Sequence, residues 1–228
     1  MLILSIDTTG GACSAALIEN EKILCEQYLH DRMTHSQNLM PLIDACFEKT
    51  GKSVADVDAF AVVTGPGSFT GVRIGVCAVK GFAQVADKPI IAIDTLELLA
   101  QNIVGFGGIV CPILDARRNQ VYTAFFRGGK RICDDFAADI AEVAEKLRGE
   151  NVLFLGDGVP VLREKILSIL PDALFAPEYL NYQHAGFAAL IAAKKLACGN
   201  THSAHSVLPN YLRDSQAEQQ KKKVRHES

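Results

Sequence analysis

Short apolar runs and longer amphipathic segments alternate along the first hundred residues. Apolar runs bounded by turn residues predict strands, and apolar positions that recur every three to four residues predict helices. The first strand ends at Asp7 and a polar turn returns the chain antiparallel, so a carboxylate lies at the tip of a hairpin. The alternation of strand and helix that follows favours an α/β fold. The predicted strands are 2–6, 12–20, 58–65 and 88–94, and the predicted helices are 34–50, 69–86 and 96–103.

Three helix starts carry capping signals. Thr34 and Gln37 have the spacing of a capping box, in which two side chains satisfy the first free amides of a helix. Ser68 and Thr95 precede the next two helices as hydroxyl N-cap residues.

The opening pattern recurs from residue 109. The segment 109–126 again predicts a strand, an aspartate (Asp115), a polar turn and a return strand, and Gly128 and Gly129 predict a hairpin turn after it. Such an internal duplication indicates two related lobes. We therefore expect an N-terminal lobe over 1–108 and a C-terminal lobe over 109–228, with a polar, lysine-bearing and mobile tail from about 216.

Composition narrows the class of protein. The chain of 228 residues is 49% hydrophobic and 21% charged, with a formal net charge of -3, so bulk basicity does not point to nucleic acid. The N-terminus lacks the basic region of a signal peptide, and no run approaches the length of a membrane span, so we expect a cytoplasmic protein. The seven cysteines form no C-x-x-C pair, which argues against a disulfide framework or a zinc knuckle.

The stretch VTGPGSFTGVRIG, residues 63–75, is similar to a phosphate-binding loop without matching one. A dinucleotide fingerprint needs its third glycine one residue before Gly71, and Pro66 removes an amide that a pyrophosphate would use. No frame supplies the Gly-Lys-Ser/Thr ending of a P-loop, and Ser68 lacks the second flanking glycine of a nucleophile elbow. The loop alone therefore predicts neither a nucleotide site nor a nucleophile.

The helix after this loop has two apolar faces on either side of a polar stripe that contains Arg73. Its parent sheet can cover one face, and the other face needs a partner unless the helix is sandwiched within its own domain. Gly71, Gly75 and Gly81 would admit a second helix closely. The two faces are Val72, Val76, Val79 and Ala83, and Ile74, Ala78, Gly81, Phe82 and Val85.

Other candidate catalytic groups are isolated in the sequence. The six histidines form no i, i+4 helical pair, and His202-x-x-His205 lies in a polar loop without an acid beside it. Asp7 and Asp115 stand where phosphotransferases of the actin type hold a magnesium-bound phosphate, yet the turn after Asp115 has no glycine. The alternative, that both carboxylates organise their hairpin turns, stays open. None of these isolated groups by itself predicts a catalytic residue, a metal site or a cofactor.

Four segments together resemble one family: LSIDTTGGACSAAL (4–17), TGPGSFTGVRIG (64–75), ILDARRNQVYTA (113–124) and PNYLR (209–213). They are similar to TsaB, also called YeaZ, a family of bacterial subunits of the threonylcarbamoyladenosine tRNA-modification machinery. The resemblance spans nearly the whole chain. It implies the actin-like ATPase (ribonuclease H-like) fold shared with hexokinase and Hsp70, with duplicated lobes and mixed sheets flanked by helices.

The resemblance implies a partner subunit rather than an enzyme. Members act with the paralogous catalytic subunit TsaD and the ATPase TsaE, which transfer a threonylcarbamoyl group from its adenylate to N6 of the adenosine 3′ of the anticodon in tRNAs reading codons that begin with adenine. TsaD binds metal through an N-H-x-E-x-H segment, and in AIDTLELL of this chain Thr95 and Leu99 stand at the two histidine positions. Neither can replace an imidazole ligand, so the resemblance implies that metal and transferase chemistry are lost and that tRNA is met indirectly.

The resemblance also implies a helix-to-helix interface with TsaD or with a second copy of the chain. Two rival functions remain, a degenerate small-molecule kinase of the same fold and a metal-dependent endopeptidase. The hypothesised interface residues are Leu39, Met40, Ile43, Ser68, Phe69, Val72, Arg73, Val76 and Val79.

Overall fold

The computed structural model describes residues 1–31 and 34–212 and contains two β-sheets flanked by helices. The strands of the first sheet are β1 (Leu2–Asp7), β2 (Cys13–Glu19), β3 (Lys22–Leu29), β4 (Ala59–Val63) and β5 (Ile90–Ile93). Their order is β3-β2-β1-β4-β5, with β4 and β5 parallel to β1 and with β2 and β3 continuing from it as an antiparallel meander. This mixed sheet confirms the predicted fold class.

The second sheet repeats this arrangement. Its strands are β6 (Ile109–Asp115), β7 (Gln120–Thr123), β8 (Phe126–Arg127), β9 (Lys130–Arg131), β10 (Phe136–Asp139), β11 (Val152–Leu155) and β12 (Leu174–Phe175). β7 returns antiparallel to β6 as β2 returns along β1, and β11 lies parallel to β6 as β4 lies parallel to β1. Gly128 and Gly129 form the β8–β9 hairpin turn, as predicted, with φ of 58° and 74°.

Helices pack on both faces of the first sheet. The helices of the described residues are α1 (His35–Thr50), α2 (Phe69–Ala86), α3 (Thr95–Ala100), α4 (Ile140–Lys146), α5 (Val159–Ile169) and α6 (Ala185–Ala197). Of these, α1, α2 and α6 pack on the first sheet. Because successive side chains of a strand point to opposite faces, Leu4 and Ile6 of β1 pack with α1 and α2 while Ile3 packs with α6. The second sheet carries α4 and α5 on one face, and on its other face Leu96 and Leu99 of α3 join the two lobes through apolar contacts.

Helix α6 corrects the predicted lobe boundary. Its alanines Ala188, Ala189 and Ala192 pack on the first sheet, not on the second. The chain then stays with the first lobe, where His202 forms an isolated bridge with Ile90. Assigning everything after residue 108 to one C-terminal lobe was therefore wrong for α6 and the segment behind it, because the apolar outer face of the first sheet needs a cover. The tail from about 216 lies outside the described residues.

Two of the three predicted helix caps differ in the structure. Ser68 caps α2 as predicted and accepts a bond from the Gly71 amide at 3.2 Å. Asp94, not Thr95, caps α3, because the helix already begins at Thr95; Oδ1 of Asp94 accepts a bond from the Glu97 amide at 2.7 Å.

The predicted capping box at the start of α1 was wrong. Thr34 is the N-cap residue, but its hydroxyl contacts the side-chain Oε1 of Gln37 at 3.2 Å and caps no amide. Strand β3, an edge strand with polar and charged residues among its apolar ones, was not predicted at all.

Candidate functional site

The glycine loop, residues 64–71, docks onto the turn that follows β1. The Ser68 amide donates to the Thr9 carbonyl at 2.8 Å, and the Thr8 hydroxyl donates to the Gly71 carbonyl at 2.7 Å. A β-carbon on Gly71 would overlap the Thr8 carbonyl, and one on Gly75 would lie 2.6 Å from the Thr8 hydroxyl. Gly71 and Gly75 therefore serve a contact within the chain, which corrects the expectation that they admit a second helix. Gly81, by contrast, has open space around its α-carbon.

Asp7 holds this turn from inside the protein. Its Oδ1 accepts bonds from the amide of Thr9 at 3.0 Å and from the hydroxyl of Thr9 at 2.7 Å, while Oδ2 has no partner in the part of the chain that the structure describes. Burial raises the pKa of Asp7 to about 6, although Thr9 and the nearby His35 oppose this rise. Asp115 likewise accepts the amide of Arg117 at 2.8 Å. The interpretation that both carboxylates organise hairpin turns is confirmed.

A segment of the chain itself runs between the two lobes, from residue 178 to residue 184. Gln183 is buried and fills the space beside Gly10, where a β-carbon would lie 2.6 Å from its Oε1. Asn181 is also buried, and its Oδ1 accepts the amide of Gly156 at the end of β11. Asn102 holds the segment by donating to the carbonyls on either side of Asn181, at 2.8 and 2.9 Å. Gln183 and Asn181 therefore connect the turn after β1 to the end of β11.

The N-terminus of α6 is capped from the first sheet. Its N-cap residue, His184, makes no side-chain cap bond. Instead the Ala185 amide donates to the Ser14 hydroxyl at 3.1 Å, and the Gly186 amide donates to a Glu26 carboxylate oxygen at 3.0 Å. A helix N-terminus commonly binds phosphate through such amides, and here an internal carboxylate takes that position.

The segment 94–99, which the resemblance aligned with a metal-binding segment, makes contacts within the chain. Thr95 and Leu99 are fully buried. Glu97 pairs with Lys195 of α6 at 2.8 Å, and Asp94 pairs with Arg131 of the second lobe at 2.5 Å. Burial, together with the carboxylate of Asp135, raises the pKa of Asp94 to about 7. Within residues 1–31 and 34–212, no group of three or more His, Cys, Asp or Glu side chains is arranged to hold a metal ion.

The hypothesised interface residues fall into two classes. The sheet-facing members are at most 3% exposed and lie in the core of the first lobe, so they cannot touch a partner while the chain is folded. Their assignment to an interface is corrected: the apolar face of α2 that contains Val76 covers β1 and β4. The buried members are Leu39, Ile43, Val72, Val76 and Val79.

The remaining four predicted residues, Met40, Ser68, Phe69 and Arg73, are exposed or partly exposed, with Met40 at 44%. They border an outward surface that also includes Val85, which is 88% exposed. We name this surface the α1–α2 face and define it as Met40, Pro41, Asp44, Thr70, Arg73, Cys77, Gly81, Gln84 and Val85, all of them exposed.

Sequence reasoning missed the residues that bridge the lobes. Asn181 and Gln183 lie in a polar stretch without a recognisable pattern, so no local signal marked them for burial. Tyr211 stood within the quoted segment PNYLR, but nothing in the sequence placed it against Phe69, on which its ring stacks.

Comparison of the chain with known sequences and structures identifies its family. The family model of TsaD, tRNA N6-adenosine threonylcarbamoyltransferase, matches residues 23–221. The tRNA threonylcarbamoyladenosine biosynthesis protein TsaB of Bacillus subtilis (strain 168) is 32% identical over 225 residues, which are 96% of this chain and 96% of that protein. The chain belongs to the TsaB family. YeaZ from Pseudomonas aeruginosa, a solved structure, is 27% identical with a TM-score of 0.78, and the match covers 92% of this chain and 99% of that chain.

The fold of this TsaB-family chain is shared more widely. The activator of the 2-hydroxyisocaproyl-CoA dehydratase from Clostridium difficile, solved with bound ADPNP, is 12% identical with a TM-score of 0.51, over 87% of this chain and 97% of that chain. This likeness concerns the fold alone and agrees with the predicted actin-like architecture. Among the described residues, none of the helices has the length and apolar character needed to span a bilayer.

Proposed function

We propose that this chain is a non-catalytic TsaB-type subunit of a cytoplasmic assembly that makes threonylcarbamoyladenosine in tRNA. The observation that carries the proposal is the match, over 96% of both chains, to a protein named for this biosynthesis. The transfer step belongs to a TsaD-type partner, whose family model also matches residues 23–221. A TsaE-type ATPase completes the assembly, and tRNA binds through the catalytic subunit.

The contacts around Gly10 and the start of α6 support a role without phosphoryl transfer. Gln183 occupies the space beside Gly10, and Ser14 and Glu26 occupy the first amides of α6. A phosphate bound there would have to displace these side chains, including a carboxylate, because the amides that it would use already have partners.

The surface that the proposal assigns to the partner is the α1–α2 face. Met40 and Val85 expose apolar area there, and Gly81 leaves space for close approach of a helix. Covering exposed apolar area favours association. A homodimer through the same helices would compete with the catalytic partner for this face.

Reconstitution tests the function. Purified TsaD-type and TsaE-type subunits are incubated with ATP, tRNA and threonylcarbamoyl-adenylate, with and without this chain, and the modified nucleoside is measured by mass spectrometry after digestion. We expect the product to fall to background without this chain, and the chain alone to yield none. Equal product without it, or product from the chain by itself, would contradict the proposal.

Assays of the purified chain alone distinguish the proposed function from the two rival functions, kinase and endopeptidase. A kinase of this fold would show saturable ATP binding and phosphoryl transfer by the isolated chain, which calorimetry and a radiolabel assay would detect. An endopeptidase would carry stoichiometric zinc or iron, which elemental analysis would find. We expect neither result.

Co-elution on a size-exclusion column tests the surface. Val76 is buried, so Val76→Arg would report on folding rather than docking. Cys77→Arg, one residue later on the exposed side, should keep the fold and abolish co-elution with the TsaD-type subunit. Cys198→Arg, at an exposed cysteine behind α6, is the matched control and should co-elute normally. Normal co-elution of Cys77→Arg would remove the α1–α2 face from the proposal.

A further inference from the structure

A strap, residues 208–212, closes over the glycine loop. The amide of Asn210 donates to the carbonyl of Thr64 at 2.7 Å. Gly65 makes room for this contact, since a β-carbon there would lie 2.7 Å from the Asn210 carbonyl oxygen. Gly65 also has a φ of 112°, which a residue with a side chain rarely adopts. The strap is therefore fixed to the loop through its backbone.

The strap places Tyr211 on the first turn of α2. The Tyr211 ring stacks on Phe69 with 4.8 Å between ring centroids, and its hydroxyl oxygen accepts a bond from Nε of Arg73 at 2.8 Å. The Arg73 guanidinium lies 3.8 Å from the centroid of the Phe69 ring. A planar guanidinium held by two rings and a hydroxyl has one preferred orientation, so little entropy remains to be lost when it binds a further group.

This cluster is open to solvent and positively charged. Tyr211 is 41% exposed, and Arg73 is exposed beside it. The charged residues of α2 are Arg73 and Lys80, and the helix has no acidic residue. The polar partner that the structure gives Arg73 is a phenol rather than a carboxylate, and no salt bridge joins Arg73 to an acidic side chain of residues 1–31 and 34–212.

We propose that the strap completes the docking surface, and that Tyr211 is a positioning residue that holds Arg73 for a carboxylate on the catalytic partner subunit. The inference rests on the proposed function and extends it by naming the chemistry of the contact. Arginine and tyrosine are enriched among the residues that dominate binding energy at interfaces, and an arginine fork matches a carboxylate with two parallel bonds. The strap thereby explains why a segment far along the chain returns to the start of α2.

Affinity measurements on the full chain test the proposal. Calorimetry with the TsaD-type subunit, at low and at physiological salt, compares the parent with Arg73→Gln and Tyr211→Phe. Arg73→Gln should weaken binding by at least about ten-fold and flatten its salt dependence. Tyr211→Phe keeps the ring and removes the acceptor, and it should weaken binding by roughly three- to ten-fold.

Matched controls come from outside the strap and α2. Arg163 lies 4.4 Å from the centroid of the Phe175 ring, and Tyr179 is exposed, so Arg163→Gln and Tyr179→Phe repeat the two substitutions away from the strap. Both controls should bind like the parent, and all four variants should melt within the parent's range. If the parent binds while Arg73→Gln and Tyr211→Phe bind equally well, the strap inference is overturned and the proposed function stands. If the parent itself does not bind, both fail.

Discussion

The turn after Asp7 and the turn after Asp115 share one plan and differ in burial. In each turn an aspartate ends a central strand, and its Oδ1 accepts the amide two residues later, at 3.0 and 2.8 Å. Asp7 and Thr9 are buried under the glycine loop, whereas the Arg117 side chain is 81% exposed. The same hairpin therefore anchors a helix in the first lobe and carries charged residues into solvent in the second.

Burial changes what each turn contributes to stability. The first turn is tied to α2 by Thr8, whose hydroxyl and carbonyl both meet the start of that helix. In the second turn Arg117, Arg118 and Asn119 have φ of 68°, 55° and 62°, a conformation that is strained for residues with side chains. One copy of the duplicated hairpin is thus integrated into the core, and the other stores local strain at the surface.

The largest effect should come from separating the first turn from α2. Gly71→Ala places a methyl group against the Thr8 carbonyl, so backbone must move and the Thr8 hydroxyl bond is lost. We expect a loss of about 4 kcal/mol in the free energy of unfolding, measured by urea denaturation. The control on the same helix is Gly81→Ala, where nothing lies within 4 Å and a gain of up to about 1 kcal/mol is expected. Equal changes in the free energy of unfolding for Gly71→Ala and Gly81→Ala would contradict the interpretation that Gly71 is needed for the contact between the first turn and α2.

The buried carboxylate should give the first turn a pH dependence. Burial raises the pKa of Asp7 from 3.8 to about 6, so the folded state keeps a proton that the unfolded state releases between about pH 4 and pH 6. The contribution of Asp7 is therefore most favourable at low pH and is lost as the pH rises through 6. A rise of this size corresponds to about 3 kcal/mol.

Comparison with the neutral isostere isolates this contribution from other titrating groups. The free energy of unfolding is measured for the parent and for Asp7→Asn between pH 4 and pH 7. The parent should lose about 3 kcal/mol relative to Asp7→Asn over this range. A difference that does not change with pH would show that Asp7 is not buried as described.

Substitutions at equivalent positions of the two turns should have smaller effects on stability and still show the difference in burial. Thr9 and Arg117 each follow the turn aspartate by two residues. Thr9→Val removes a buried hydroxyl bond to a carboxylate and should cost about 2 kcal/mol in urea denaturation at pH 7. Arg117→Gln removes an exposed ion pair of 3.3 Å and should cost less than about 0.5 kcal/mol. Similar costs at both positions would mean that burial does not distinguish the two turns.

Much of the secondary structure could be predicted because its signals are local. Helix α2 begins and ends where its periodicity and Ser68 predicted, at Phe69 and Ala86. The recurrence of strand, aspartate, turn and return strand predicted the second lobe, because a duplicated hairpin repeats its alternation of apolar residues.

The burial of the faces of α2 could not be predicted, because it depends on distant parts of the chain. Periodicity marked two apolar faces but could not show that the one containing Val76 covers β1 and β4. The glycines of the loop were equally ambiguous, since Gly71 and Gly81 look alike until Thr8 is placed beside one of them. Helix α6 and Gln183 follow the second lobe in the sequence but pack against the first lobe. Local sequence patterns do not show which lobe a later segment packs against.

The smallest expected effect concerns the strain in the second turn. Arg118→Gly should stabilise the protein by about 0.5 kcal/mol, because release of the left-handed conformation slightly exceeds the extra entropy that glycine gives the unfolded chain. Lys130→Gly, at an exposed strand position, lacks that strain and should instead cost about 0.5 kcal/mol or more in urea denaturation. Opposite signs at these two positions would establish that the second turn is held in its conformation against local preference. If both substitutions change the free energy of unfolding in the same direction, the second turn is not strained, and the two hairpins differ physically in burial alone.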